Sequence, residues 1–100
     1  DFGYDETYAR MLEACGRKGD ILVGISTSGN SLNVVKALKK ANEIGLTTIG
    51  FTGMKGGEMS AICDIMIKAP SEDTPRTQEV HILVGHIICQ LIEEDLFPNA

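Results

Sequence analysis

Apolar and polar residues alternate along the chain in two rhythms. Tyr8, Met11, Leu12 and Cys15 fall on one face at helical spacing, which predicts a short helix over 4–15. Gly16 and Gly19 close it, and Asp20 leads into a continuous apolar run, ILVGIS, over 21–26. Such a run is typical of a strand buried on both faces. Next come Thr27, Ser28, Gly29, Asn30 and Ser31, and then a helix over about 31–44. Its apolar stripe is Val34, Val35, Leu38, Ala41 and Ile44, with Gly45 placed to end it. A second strand is expected over 46–52, a short helix over 58–62, and a third strand over 65–69, stopped by Pro70. A polar loop over 70–75 precedes the longest helix, 77–96, which is apolar on nearly every side.

Strand and helix alternate three times, which is the pattern of a parallel sheet with right-handed crossovers. The first strand is as apolar as a central one and calls for a neighbour on each side, so further strands are expected upstream. The chain opens at Asp1 without an initiator Met, and a portion of a longer chain is expected. The last helix is too apolar for a surface helix and is expected to bury itself against other helices, in that missing part or in a partner subunit.

Composition changes this picture little. The chain has 100 residues, enough for one small domain, and a net charge of −5 with no basic cluster. That argues against nucleic acid as a partner, because phosphate-backbone binding needs Lys and Arg to replace counterions. No apolar run is long enough to span a bilayer, so no membrane partner is expected; the longest, 80–92, is broken by His81, Gly85, His86 and Gln90. Cys15, Cys63 and Cys89 are odd in number, widely spaced and without a CxxC pair, so they read as buried free thiols in a reducing cytosol.

Two segments carry candidate chemistry. The first is the turn from Ser26 through Thr27, Ser28, Gly29 and Asn30 to Ser31. It lies where a strand gives way to a helix, the edge at which parallel sheets bind ligands. The helix start offers unpaired N–H groups and partial positive charge to an anion, the four hydroxyls add donors, and Gly29 permits close approach. The pattern is neither GxxxxGK[ST] nor GxGxxG, so a phosphate monoester on a small molecule fits better than a nucleotide. The simpler alternative, that Ser28 or Ser31 only caps the helix, accounts for one serine but not for four hydroxyls around a glycine.

The second is the last helix, where Gln78, Ile82 and His86 form a slowly drifting stripe at about 100° per residue, with Gly85 beside it. His81 and His86 lie on different faces and make no i, i+4 ligand pair. His81 reads as a hydrogen-bonded core residue. His86 can equally be a core residue, a general acid or base, or a metal ligand.

These segments, in this order, resemble the phosphoheptose isomerases of the SIS class. The resemblance rests on Asp1-Phe2-Gly3-Tyr4, on Gly24 to Ser31, on Thr52-Gly53 followed by Gly56-Gly57, on Arg76-Thr77-Gln78-Glu79 with His81, and on His86. It implies a three-layer αβα, flavodoxin-like parallel sheet, of which 1–100 would be the C-terminal part of a single SIS domain, the N-terminal part being absent. It implies a cytoplasmic homotetramer that interconverts sedoheptulose 7-phosphate and D-glycero-D-manno-heptose 7-phosphate, for lipopolysaccharide or other surface glycans. Ser26, Thr27, Ser28 and Ser31 match phosphate-binding positions, with Asn30 among them in the turn. Gln78 matches a residue that contacts substrate or metal, and His86 the catalytic histidine. Zinc is the implied cofactor, bound through Gln78 and His86 with ligands from the N-terminal half. A Glu of that half, with no counterpart here, is the implied acid–base partner. One position departs: the acidic residue that some members carry three places before the Gln is here Pro75, with Asp73 and Thr74 as nearby substitutes.

Two other readings stand beside this one. A non-enzymatic SIS protein of the DnaA initiator-associating type shares the fold and the Leu96-Phe97-Pro98 ending, but carries Asn in place of His86 and a serine turn disrupted by Arg. A SIS sugar-phosphate-binding regulator would keep the serine turn and has no reason to keep the spacing of Gln78 and His86.

Overall fold

The computed structural model describes residues 7–98. The proposed helical residues at 4–6, and the Asp1-Phe2-Gly3-Tyr4 match, lie outside them. The order is α1 (Thr7–Cys15), β1 (Ile21–Ile25), α2 (Leu32–Ile44), β2 (Thr47–Thr52), a 3-10 helix (Gly57–Ala61), β3 (Ile65–Lys68) and α3 (Thr74–Leu96). The strands form one parallel sheet in the order β1-β2-β3, with Gly24 beside Gly50 and Ile25 beside Phe51. The expected three layers are present: α1, α2 and the 3-10 helix cover one face of the sheet and α3 lies on the other.

Side-chain alternation sorts the strands onto these faces. Leu22 and Met66 pack with Val34, Val35, Leu38, Met59, Ile62 and Cys63 in the core beneath α2. Gly24 and Gly50 bring the layers together. A Cβ at Gly24 would come within 2.9 Å of the Leu38 side chain, and one at Gly50 within 2.8 Å of the Met66 sulfur. Leu38 and Met59 are fully buried in consequence, each stabilising the fold by about 1.5–3 kcal/mol. Gly45 ends α2 as expected, with φ 90° and the paired bonds of a Schellman turn from Leu46 N to Ala41 O and from Gly45 N to Asn42 O.

Three expectations need correction. The last helix begins at Thr74, three residues before the expected start, so Pro75 sits in its first turn. A proline there loses no hydrogen bond, because first-turn N–H groups have no helical partner. The first strand is an edge strand among the described residues, with Ile21, Val23 and Ile25 exposed. The cysteines are free, but Cys15 and Cys89 are exposed and Cys63 is half-buried. The first two stand on faces of α1 and α3 that nothing among the described residues covers.

Helix α3 touches the sheet chiefly through its first turns. Thr77 and His81 are its buried residues, whereas Ile82, Leu83, Ile87, Leu91, Ile92 and Leu96 are exposed. No helix among the described residues is long and apolar enough to cross a membrane.

Candidate functional site

The serine turn follows directly from the C-terminal end of β1. Ser26 is buried there, and its N–H donates to Phe51 O at 3.0 Å, as though extending the strand. The chain then reverses through Gly29, at φ 74°, the left-handed region that glycine occupies without steric cost. A Cβ at Gly29 would collide with the Gly56 carbonyl oxygen.

Three hydroxyls converge within this turn. Ser26 Oγ lies 2.8 Å from Ser31 Oγ and 3.4 Å from Ser28 Oγ, and it accepts from Gly29 N at 3.2 Å and Ser31 N at 3.4 Å. Ser28 Oγ accepts from Asn30 N at 3.1 Å. Ser31 holds the N-cap place of α2, yet its side chain makes no cap bond and turns to Ser26 instead. The capping alternative therefore fails for Ser31. Ser28 and Ser31 are exposed, so the cluster opens to solvent at the start of α2. Asn30 differs from the others: its Oδ1 accepts from Glu58 N at 2.7 Å, outside the turn.

The turn and α3 are tied through the end of β2. Gly53 N donates to Thr27 O at 2.9 Å, and Met54 N and Thr77 Oγ1 both donate to Ser71 O, at 3.1 Å each. One turn further along α3, His81 Nε2 donates to Thr52 O at 2.8 Å, with its ring tilted against Phe51 at 5.5 Å between centroids. A carbonyl can only accept, so Nε2 carries the hydrogen. Nδ1 is buried and without a partner among the described residues. His81 is thus a core residue bonded to the backbone, as expected from the sequence.

Between the sheet and α3 lies an open hollow of about 620 Å³. Its walls are Val23, Ile25 and Phe51 on one side and, from α3, Gln78, His81, Ile82, Gly85, His86, Ile88 and Cys89 on the other. Gln78 and His86 therefore line one space, and that space begins at Ile25, the residue before Ser26. The two histidines differ in depth rather than in location. His81 is buried on the sheet and His86 is exposed at the rim, although both border the hollow. Asp73 is the N-cap residue of α3, exposed and without a side-chain cap bond.

A zinc ion takes three or four protein ligands in its usual sites. Gln78 and His86 are two donors, and among the described residues no group of three His, Cys, Asp or Glu side chains gathers that could hold a metal. These residues do not by themselves make a zinc site. The hollow also contains no carboxylate among its lining residues.

A SIS domain profile matches residues 1–53, more than half of the sequence. The chain belongs to the SIS domain family. Within it, this SIS chain is similar along nearly its whole length to proteins named phosphoheptose isomerase. It is 56% identical over 97 residues to that of Clostridium acetobutylicum, covering 97% of this chain and 50% of the relative. It is 52% identical over 99 residues to that of Aneurinibacillus thermoaerophilus, covering 99% and 50%. Among solved structures it superposes on the phosphoheptose isomerase of Neisseria gonorrhoeae with a TM-score of 0.89 at 44% identity, covering 92% of this chain and 52% of that one. For the Francisella tularensis enzyme the TM-score is 0.90 at 32% identity, covering 93% and 50%. The chain spans about half the length of the curated relatives it matches.

Proposed function

We propose that this SIS chain carries the phosphate-binding turn and one acid–base residue of a phosphoheptose isomerase acting on sedoheptulose 7-phosphate. The observation that carries this reading is the convergence of Ser26, Ser28 and Ser31 hydroxyls at the start of α2, next to a hollow lined by Gln78 and His86. Ser28 and Ser31, exposed, would rotate their hydroxyls toward the phosphate, while the α2 N-terminus contributes N–H groups and partial positive charge. Thr27 would add a further donor. The sugar would then extend over Ile25 into the hollow.

Aldose–ketose isomerisation moves a proton between adjacent carbons through an enediol. It needs a base, an acid and a donor for the developing oxyanion. His86 stands at the rim, reachable from solvent, and its imidazole is suited to moving a proton near neutral pH. The Gln78 amide, exposed in the first turns of the same helix, would donate to a sugar oxygen. The second acid–base group would come from outside the described residues. So would the neighbours that cover α3, supplied by a homo-oligomer of tetrameric type working in the cytoplasm.

Titration with inorganic phosphate, and soaking with sedoheptulose 7-phosphate, tests the reading. Amide shifts and bound density should centre on residues 26–31. Binding confined to any other part of the chain would overturn it.

A further inference from the structure

Of the side-chain hydrogen bonds that the serine turn makes among the described residues, one leaves it. Asn30 Oδ1 accepts from Glu58 N at 2.7 Å, across 28 residues of sequence. Beside it, Met59 N donates to Gly29 O at 3.1 Å. Both donors belong to the start of the 3-10 helix, where N–H groups have no partner within the helix. The N-cap place of that helix is Gly56, which has no side chain to serve them. Asn30 therefore acts as a cap supplied from a different part of the chain.

The contact beneath this pair is backbone on backbone. A Cβ at Gly29 would strike the Gly56 carbonyl, and one at Gly57 would strike the Ser28 carbonyl and come within 2.7 Å of Asn30 Oδ1. Gly29, Gly56 and Gly57 all have positive φ, at 74°, 77° and 56°. The glycine loop and the serine turn are thus moulded to each other, and the Asn30 carbonyl is the side-chain bond that closes the joint. It also engages the side-chain carbonyl of Asn30 outside the converging serine hydroxyls.

Resting on the anion-site reading above, we propose that Asn30 is a positioning residue. It clamps the Gly56–Gly57 loop against the serine turn through its side-chain carbonyl, and so holds the turn in the conformation that binds phosphate. Preorganised donors bind more tightly because little ordering remains to be done on binding. Coupling of this kind is reciprocal, so phosphate in the turn must tighten the clamp in return.

The test follows hydrogen exchange at the Glu58 and Met59 amides with and without inorganic phosphate, in the 100-residue chain and in Asn30→Ala. Phosphate affinity and melting temperature are measured on both. In the unaltered chain, phosphate should slow exchange at both amides. Asn30→Ala should weaken phosphate binding about tenfold, the worth of one hydrogen bond at the upper end of its range, and should abolish the phosphate-dependent slowing at Glu58. Unchanged affinity in Asn30→Ala, or phosphate binding that leaves both amides unaffected in the unaltered chain, overturns the proposal. The second arm decides even where Asn30→Ala does not fold. An unaltered chain that binds no phosphate overturns the anion-site reading along with it, a result distinct from binding without coupling.

Discussion

His81 and His86 show how five residues on one helix separate two uses of the same side chain. At about 100° per residue they point roughly 140° apart. One reaches the backbone of β2 and the other reaches the rim of the hollow. His81→Asn removes the bond to Thr52 O in a buried setting, which should cost about 1–3 kcal/mol. In an intact isomerase carrying this sequence, that loss should appear as a lower melting temperature with most of kcat retained. His86→Asn should do the reverse. The position is exposed, so stability should hold, while Asn cannot shuttle a proton and kcat should fall by about 10²–10⁴. Near-normal kcat in His86→Asn would remove the catalytic assignment. It would also revive a binding protein as the alternative reading.

At the scale of elements, the serine turn is organised from within by Ser26. Its buried hydroxyl touches two other hydroxyls and accepts from two backbone N–H groups. Ser26→Ala should therefore destabilise the chain by about 1–3 kcal/mol, because Ser31 N loses its side-chain acceptor and the two other hydroxyls lose their common partner, although Gly29 N keeps the Ser26 carbonyl. Ser28→Ala, at an exposed position with one bond from Asn30 N and a longer one to Ser26 Oγ, should cost much less. Equal thermal shifts for the two variants would contradict this division. The turn was legible in the sequence because its signal is local: small hydroxyl residues and a glycine between an apolar run and an amphipathic stripe. The division of labour within it was not. That Asn30 bonds to Glu58 depends on the glycine loop folding back from 26 residues or more along the chain, and that Ser31 turns away from capping depends on where the buried Ser26 hydroxyl is held. Periodicity could not place the start of α3 either, since Pro75 reads as a breaker unless the first turn is known to begin at Thr74. The parallel sheet followed from the alternation of strand and helix. The exposure of β1 did not, because its apolar run describes a strand with neighbours on both sides.

At the scale of the whole molecule, the apolar surfaces have a common direction. Val23 and Ile25 on the uncovered edge of β1 line the hollow beneath α3, and they also line a second hollow between α1, α2 and the sheet. The exposed stripe of α3, from Ile82 to Leu96, adds to the same uncovered surface. Contiguous apolar area of this kind marks places where more protein packs, in keeping with a chain that spans half the length of its relatives. The consequence for chemistry can be read from the hollow itself. Its lining supplies one exposed histidine and one amide but no carboxylate, whereas proton transfer between two carbons calls for an acid and a base held across the substrate. The 100-residue chain, assayed by itself with sedoheptulose 7-phosphate, should turn over at least about 10²-fold more slowly than a full-length relative, the usual effect of lacking one such group. It should nevertheless bind inorganic phosphate, because the serine turn lies wholly within it. Binding without turnover is the expected pair of results, measured by titration and by product formation on material of verified mass. Turnover comparable to that of a full-length relative would mean that the 100-residue chain already contains both proton-transfer groups. His81, whose buried Nδ1 has no partner among the described residues, would then be the first candidate for the second group.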